Sequence, residues 1–197
     1  RVEVLKGPAS ILYGALEPGG VVNTVLKRPQ AETMHRFEQQ VGSDRLLRST
    51  LDTTGSLVED DTLLYRLNAA YTNSHSFRDH VHLERVAVAP SLLWEPATDT
   101  ELLLDLSYVR ETQPYDAGVP LDENGDPLVR RSAFFGDPGL NGRVIDDYWA
   151  SYQLSHQVNS VWTLRNQLSA HRAHAENESL RPRGLRQVGD DEVLLMR

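Results

Sequence analysis

From about residue 36 onward, the chain is a series of segments in which apolar and polar residues alternate. In the clearest segment, residues 63–71, the odd-numbered positions are apolar, while Arg66 and Asn68 lie on the other face. A period of two is typical of β-strands with one apolar and one polar face. The same pattern covers residues 36–42, 48–57, 86–94, 102–108, 148–158 and 162–170. It predicts seven strands of about ten residues, the length with which a tilted strand crosses a bilayer, and an eighth strand beginning near Glu192.

The connections between these strands alternate in length. Residues 58–61, 95–100 and 159–160 are short connections, residues 74–84, 111–146 and 175–191 are long ones, and residues 43–47 are again brief. Outer-membrane barrels have tight periplasmic turns and extended outer loops. The alternation therefore favours a membrane barrel over a soluble β-sandwich binding module, which stays an alternative.

Aromatic residues on the apolar faces support the membrane interpretation. If residues 60–61 are periplasmic, Tyr71, Tyr108 and Tyr148 fall at the outer boundary of the bilayer. Trp94 and Trp162 then fall at the inner boundary. Amphipathic rings at both boundaries are typical of membrane barrels, whereas a soluble β core does not predict two levels.

Composition excludes several classes of protein. The 197 residues carry a formal net charge of −8, which disfavours nucleic acid as a partner because no basic patch is present to neutralise phosphates. The chain has no cysteine, so disulfide frameworks and thiolate metal sites are excluded. No apolar run is long enough for a transmembrane helix. Residue 1 already lies within a strand motif and the last residues resemble the start of a strand, so we expect an internal piece of a longer protein.

The first 28 residues have a different organisation, with glycine and proline between short apolar stretches. Residues 2–5 predict a short strand that Gly7 ends, and Pro8 and Gly14 suit the two ends of a helical turn. Residues 18–20, Pro-Gly-Gly, predict a tight turn before a second strand at residues 21–26. Taken alone, such a unit is common.

The short sequence motifs of this unit, in contrast, are specific to one family of proteins. Residues 3–10 (EVLKGPAS), 12–14 (LYG), 18–23 (PGGVVN) and 25–29 (VLKRP) closely resemble the end of the plug domain in TonB-dependent outer-membrane receptors. Among these receptors, the ferric-siderophore receptors are the most similar. Residues 65–69 (YRLNA), 88–96 (VAPSLLWEP) and 162–168 (WTLRNQL) resemble the third, fourth and seventh barrel strands of that family.

The resemblance implies an all-β fold in two parts. Residues 1–30 would be the C-terminal end of the plug, and residues 31–197 the N-terminal part of the barrel. The barrel part would be a partial antiparallel transmembrane β-barrel, an open curved sheet of about seven or eight of roughly 22 strands.

The resemblance also implies a function. The whole protein would be a receptor in the outer membrane of a Gram-negative bacterium, embedded in outer-membrane lipid. It would bind a ferric siderophore and import it with energy from the TonB–ExbB–ExbD system. Receptors of the same architecture for haem, cobalamin or a glycan stay alternatives. Iron travels inside the chelator, so no resident cofactor or protein metal ligand is expected. The residues alone indicate no enzyme, because no phosphate-binding loop, activated nucleophile or supported carboxylate pair is present.

Two sets of candidate functional residues follow. An aromatic chelate would be held by aromatic side chains above the plug, and the long loop at residues 111–146 contains Tyr115, Phe134 and Phe135. Tyr115 stands where related receptors place aromatic residues that touch the chelate. The second set would join plug and barrel: the cations Lys6, Lys27 and Arg28 could pair with inward carboxylates such as Asp105. For each residue the alternative is an ordinary structural role, as loop packing or as an exposed cation at a domain junction.

Histidines and acidic residues in the loops give weaker signals. His80 and His82 lie two residues apart, but without a third ligand a solvated loop is favoured over a metal site. His171 and His174 point to opposite faces of a predicted strand. Residues 122–126 (DENGD) have the start of a calcium-loop pattern, but the glycine is misplaced and the closing glutamate is missing.

Overall fold

The computed structural model describes residues 2–6, 20–24, 26–121, 124–180, 182–188 and 191–196. The described residues form a seven-stranded sheet and two separate two-stranded hairpins. The helical turn expected at residues 8–14 lies outside the described residues. In the described part of the chain, no helix has the length and apolar character needed to cross a membrane. The strands are β1 (Val2–Lys6), β2 (Gly20–Thr24), β3 (Met34–Val41), β4 (Leu47–Ser56), β5 (Leu63–His75), β6 (His82–Ala97), β7 (Thr100–Pro114), β8 (Gly142–Gln157), β9 (Thr163–Glu178), β10 (Pro182–Val188) and β11 (Asp191–Met196).

The large sheet contains β3 to β9 in chain order, and every neighbouring pair is antiparallel. The prediction of an open antiparallel sheet is confirmed. The strands β5 to β9 are longer than expected, with 13 to 16 residues each. About ten residues cross a bilayer, so the additional residues extend the sheet beyond it. The prediction of a loop at residues 175–191 is wrong, because this segment contains the end of β9 and the whole of β10, which pairs with β11.

The strand register sorts the side chains into two faces. On one face, a continuous row of directly paired residues has apolar side chains, and Leu92, Leu104 and Leu168 in this row are 39%, 40% and 61% exposed. On the other face, the corresponding row is polar and buried. The outer row is Tyr65, Leu92, Leu104, Tyr152 and Leu168. The inward row is Thr54, Arg66, Ser91, Asp105 and Ser151.

This distribution is the reverse of that in a soluble β-sandwich. Among the described residues, the buried apolar side chains are Leu64, Leu93 and Leu103, and the buried polar side chains are more numerous. A soluble sandwich buries apolar faces between two sheets. A membrane barrel exposes its apolar face to lipid and turns polar residues inward. The arrangement therefore fits the wall of a membrane barrel, as the sequence pattern predicts.

The connections at the two ends of the seven-stranded sheet differ less in length than expected, because the long loop expected at residues 74–84 is the short connection at residues 76–81, and within this sheet only residues 115–141 form a long loop. Tight turns at residues 57–62, 98–99 and 158–162 lie at one end, and the loops at residues 42–46, 76–81 and 115–141 lie at the other. In the first tight turn, the Thr62 hydroxyl and amide donate to Asp60 Oδ1 over 2.8 and 3.2 Å. The hydrogen bond from the Thr62 hydroxyl is the main cause that lowers the pKa of the Asp60 carboxyl. Trp162, expected within a strand, lies in the last turn just before β9.

Candidate functional site

The segment at residues 26–30, here called the linker, contacts the inward face of the sheet. Pro29 is its buried residue, while its neighbours are exposed. The ring of Pro29 restricts the preceding residue to extended conformations, so the linker passes the strands in an extended form. Contacts to β4, β5 and β7 fix its position.

The centre of these contacts is a buried ion pair between two adjacent strands. Arg66 on β5 donates from Nε to Asp52 Oδ1 over 2.9 Å and from Nη2 to Oδ2 over 2.8 Å. Both side chains are less than a tenth exposed, at 8% and 9%. This fork geometry is the strongest form of a charge-assisted hydrogen bond between side chains. Lys27 of the linker adds a third charge, with its Nζ 2.7 Å from Asp52 Oδ2.

The linker backbone is bound at two further points. Arg66 Nη1 donates to the carbonyl oxygen of Arg28 over 3.0 Å. Thr54 Oγ1 accepts a hydrogen bond from the amide of Gln30 over 2.9 Å. The same hydroxyl lies 2.8 Å from the carbonyl oxygen of Tyr65, to which it donates within the sheet. Charge and backbone contacts together form what we call the linker clamp: Lys27, Asp52, Arg66 and Thr54.

A second ion pair joins the linker to β7. Arg28 Nη2 contacts Glu101 Oε1, but the two side chains are 53% and 36% exposed. Exposed pairs of this kind contribute at most about 1 kcal/mol. The clamp at Asp52 therefore dominates the attachment of the linker.

Asp105, the carboxylate named from the sequence, lies on the inward face and is 4% exposed. It accepts a hydrogen bond from Ser91 Oγ over 2.5 Å. Lys27 pairs instead with Asp52 on β4, three strands away from β7 in the sheet. Arg28 does reach β7, but its partner there is Glu101, four residues before Asp105 on the same strand. The side chain of Lys6 lies outside the described residues.

Beside Asp105, the inward row contains an unsatisfied hydroxyl. Ser151 on β8 pairs directly with Asp105 in the strand register. Its Oγ is buried and has no hydrogen-bond partner among the described residues. Buried polar groups without a hydrogen-bond partner are rare in proteins. Here the inward face retains hydrogen-bonding capacity that the linker does not use.

The described residues of the outer loop between β7 and β8, 115–121 and 124–141, are bound to neighbouring segments. Asn141 is 1% exposed and directly precedes β8. Its Nδ2 donates to the carbonyl oxygens of Tyr115 and Leu180, over 3.2 and 3.1 Å. Its Oδ1 accepts from the amides of Asp137 and Leu180, over 3.2 and 3.0 Å. One side chain thus joins both ends of the loop to the end of β9.

The same loop also packs on the loop at residues 76–81. Arg78 Nε lies 2.8 Å from Asp116 Oδ2, and its Nη1 donates to the carbonyl oxygen of Ala133 over 3.0 Å. Asp79 forms an ion pair with Arg130. The ring of Phe134 meets His80 edge to face, with centroids 6.1 Å apart. The two loops therefore form one packed unit above the sheet.

The aromatic residues named as ligand contacts belong to this unit. Tyr115, Phe134 and Phe135 are all half-buried in the loop. Tyr115 follows directly after β7, and its amide donates to the carbonyl oxygen of Asn141 over 3.1 Å. Phe134 contacts His80, so its ring already takes part in loop packing. Phe135 has no ring contact of this kind among the described residues.

Comparisons with known proteins agree with this geometry. No family model matches the chain. The metal-pseudopaline receptor CntO of Pseudomonas aeruginosa is 43% identical over 189 residues, which are 91% of this chain and 26% of that protein. The ferrioxamine receptor of Yersinia enterocolitica is 34% identical over 91% of this chain and 25% of its own length. The chain belongs to the family of TonB-dependent siderophore receptors. It spans about a quarter of the length of these curated relatives.

Solved structures of such receptors contain the same fold. The pyoverdine outer-membrane receptor FpvA from P. aeruginosa PAO1 superimposes with a TM-score of 0.76 at 29% identity, over 92% of this chain and 26% of that chain. The ferric-catecholate receptor Fiu of Escherichia coli K12 gives a TM-score of 0.83 over 99% of this chain and 33% of its own. At 24% identity, the second likeness shows the fold alone. The seven-stranded sheet is thus part of an outer-membrane barrel wall, with the linker on its inward face.

Proposed function

We propose that residues 1–30 form the end of a plug and residues 31–197 the first wall strands of a receptor that imports a ferric siderophore. The observation that carries the proposal is the linker clamp. In a TonB-dependent receptor, the chain leaves the plug and enters the wall at one point. Here the linker that precedes the first wall strand is bound to the polar inward face of a sheet whose outer face is apolar.

The clamp gives the linker a mechanical role in transport. Energy relayed by the TonB–ExbB–ExbD system would move the plug, and the linker connects that plug to the wall. Detaching the linker breaks the half-exposed pair of Lys27 with Asp52, worth up to about 1 kcal/mol, and two hydrogen bonds of the linker backbone, worth about 0.5–3 kcal/mol each, while the buried pair of Asp52 and Arg66 stays within the wall. Breaking the exposed ion pair of Arg28 and Glu101 costs up to about 1 kcal/mol. We therefore place the moving part upstream of Lys27 and keep the linker attached during import.

The remaining polar groups of the inward face would contact the plug. Asp105 is buried with Ser91 as its hydrogen-bond donor, and Ser151 beside it is unsatisfied within the described part of the chain. A cation or amide of the plug would satisfy both groups. Lys6 is the cation we propose for Asp105, since Lys27 and Arg28 have other partners.

The ligand would enter from the side of the long outer loops. We propose Tyr115 as the first contact with the chelate, followed by Phe135 and Phe134. Tyr115 is half-buried at the base of the loop, directly above the wall. Iron would stay within the chelator throughout, so the proposal includes no resident cofactor, no protein metal ligand and no catalytic step.

The experiment uses the full-length receptor that carries this chain. It is expressed in an iron-starved Gram-negative strain that lacks its own siderophore receptors, and uptake of radioactive iron is measured with hydroxamate, catecholate and mixed siderophores. Uptake of at least one chelate is expected, and deletion of TonB should abolish it. Tyr115→Ala should weaken binding by roughly tenfold, as expected for an aromatic anchor. Arg45→Ala, in another outer loop, serves as the matched control.

The alternative cargoes are part of the same experiment. Haem, cobalamin and oligosaccharides are offered to the same cells. Uptake of one of these without uptake of any iron chelate would change the proposed cargo, but it would leave the protein a TonB-dependent receptor. Uptake of nothing, by a receptor that is present and folded in the outer membrane, would refute the proposed function.

A further inference from the structure

Two histidines face each other at the outer end of the β5–β6 hairpin. His75 is the last residue of β5 and His82 the first of β6, and the register pairs them directly. Their ring centroids are 6.1 Å apart with an interplanar angle of 38°. Both side chains are exposed. The spacing of seven residues gives no sign of this pair in the sequence, because it depends on the hairpin register.

The backbone places this pair in the closer of the two antiparallel arrangements. The amide of His75 donates to the carbonyl oxygen of Asp44 over 2.7 Å, and therefore points away from β6. The next pair along the hairpin, Ser76 and Val81, is joined by a backbone hydrogen bond of 2.9 Å. His75 and His82 are thus a non-hydrogen-bonded pair, in which side chains approach most closely.

One ring is already oriented for a metal. His82 Nδ1 lies 3.3 Å from the carbonyl oxygen of His80, and a protonated Nδ1 donates to it. That hydrogen bond leaves Nε2 as the ring nitrogen with a lone pair. Histidines that bind metals commonly donate their other ring N–H to a backbone carbonyl, which fixes tautomer and orientation. His80 has a φ of 62°, a left-handed conformation that sets the direction of this carbonyl.

The ring of His80 is directed elsewhere. It meets Phe134 edge to face across 6.1 Å, so His80 contributes its carbonyl oxygen and not its imidazole. From the sequence, His80 and His82 are the neighbouring histidines, with a solvated loop favoured over a metal site; in the folded hairpin the residue that faces His82 is His75.

The distance between the two rings suits a shared metal ion. With Zn–N bonds of about 2.0–2.1 Å and a tetrahedral angle, the centroids of two bound rings lie roughly 5 Å apart. The observed pair needs to close by roughly 1 Å, which exposed side chains achieve by small rotations within their rotamers.

We propose that His75 and His82 form a binding site for a divalent transition-metal ion on the outer surface of the hairpin. Among the described residues, no set of three His, Cys, Asp or Glu side chains converges on one point, so water completes the coordination. Imidazole is a ligand for Zn²⁺, Ni²⁺ and Cu²⁺. His75 lies four residues beyond Tyr71, or about 13 Å along the strand, and the site therefore stands above the apolar band. It is independent of the siderophore proposed above, in which iron keeps its own ligands.

The test measures binding of Cu²⁺ and Zn²⁺ alone to the full-length receptor in detergent, by isothermal titration without chelators. His75→Gln and His82→Gln should each weaken the binding by at least about tenfold, the lower end of what an altered metal shell costs. His80→Asn keeps the carbonyl and tolerates the positive φ, so it should leave affinity unchanged. His174→Gln is the matched control, since His174 is equally exposed but pairs with Glu176 on its own strand. Lowering the pH should weaken binding, because protons compete for the ring nitrogens.

A second measurement needs no variant. Carbethoxylation of histidines is mapped by mass spectrometry with and without Zn²⁺. The metal should protect His75 and His82 together and leave His174 reactive. Equal affinity of both glutamine variants and the native receptor would overturn the site. Loss of binding in His80→Asn would overturn the assignment of His75 as the partner, and absence of joint protection would overturn the proposal even if a variant failed to fold.

Discussion

Removing the carboxylate of Asp52 tests the linker clamp at its centre. Asp52→Ala leaves Arg66, whose side chain is 8% exposed, without its partner, and it also frees Lys27. Breaking a buried ion pair by deleting one partner costs about 3–5 kcal/mol. The linker covers Arg66, so its release allows the unpaired guanidinium to regain water. We therefore expect the variant to shift the equilibrium toward a detached linker by up to about 3 kcal/mol, or about 150-fold.

Tryptic cleavage of the native receptor measures this shift directly. The bond after Lys27 is open to trypsin only when the linker detaches, whereas the bond after Arg28 precedes Pro29 and resists the enzyme. When opening and closing are fast, the cleavage rate follows the population of the open form. Cleavage of the Lys27–Arg28 bond is followed by mass spectrometry under limiting protease.

Two variants sharpen the result. Glu101→Gln removes only the exposed partner of Arg28 and should raise cleavage no more than about fivefold, or about 1 kcal/mol. Asp52→Ala combined with Arg66→Met removes both buried charges and should return the rate to within about tenfold of the native receptor. Cleavage of Asp52→Ala at the native rate would refute the clamp. A double variant cleaved as fast as Asp52→Ala would refute the role of the unpaired charge.

Three further predictions concern the loop and the two faces of the sheet. Asn141→Ala removes four hydrogen bonds of a buried amide and should destabilise the loop by about 2 kcal/mol, seen as roughly 30-fold faster hydrogen exchange at the amide of Leu180; unchanged exchange would contradict this role. Ser151→Ala removes the hydroxyl that we propose a plug group satisfies, so it should lower the free energy of unfolding of the full-length receptor in urea by about 1 kcal/mol, whereas a change below about 0.5 kcal/mol would contradict a plug partner for Ser151. Leu104→Arg on the outer face should cost about 2–4 kcal/mol in lipid vesicles, while Gln167→Arg on the inward face should cost much less; equal costs would contradict the assignment of the faces.

The strands were predictable because their signal is local. A period of two in apolar residues requires only a sheet with one lipid face, and segments such as residues 63–71 show it clearly. The ends of the strands were harder to predict from the sequence, because the residues of β5 and β7 beyond the bilayer are polar and do not alternate with apolar ones. The same difficulty applies to Trp162 at the inner boundary. It fits the alternating pattern of the strand that follows, although it lies in the turn before β9.

The contacts of the site depend on register and on the path of the linker. The sequence indicates that Lys27 and Arg28 need carboxylates, but their choice of Asp52 and Glu101 follows from where the linker crosses the wall. Asp52 lies in a weakly alternating segment, so its direction was not evident. Asn141 gives no signal at all in the sequence, since its role arises from meeting the end of β9 at Leu180. Positions that depend on distant segments in this way are the ones that a local pattern misses.

The most direct test of the account fixes the linker to the wall during transport. Gln30 and Thr54 are hydrogen-bonded neighbours across the contact, with the Gln30 amide 2.9 Å from Thr54 Oγ1. Cysteines at both positions of the full-length receptor are oxidised to a disulfide, and siderophore uptake is compared before and after reduction. If the linker stays attached while the plug moves, the oxidised receptor should import at the rate of the reduced one. Uptake that stops on oxidation and returns on reduction would show that the linker must leave the wall, and would contradict the central claim.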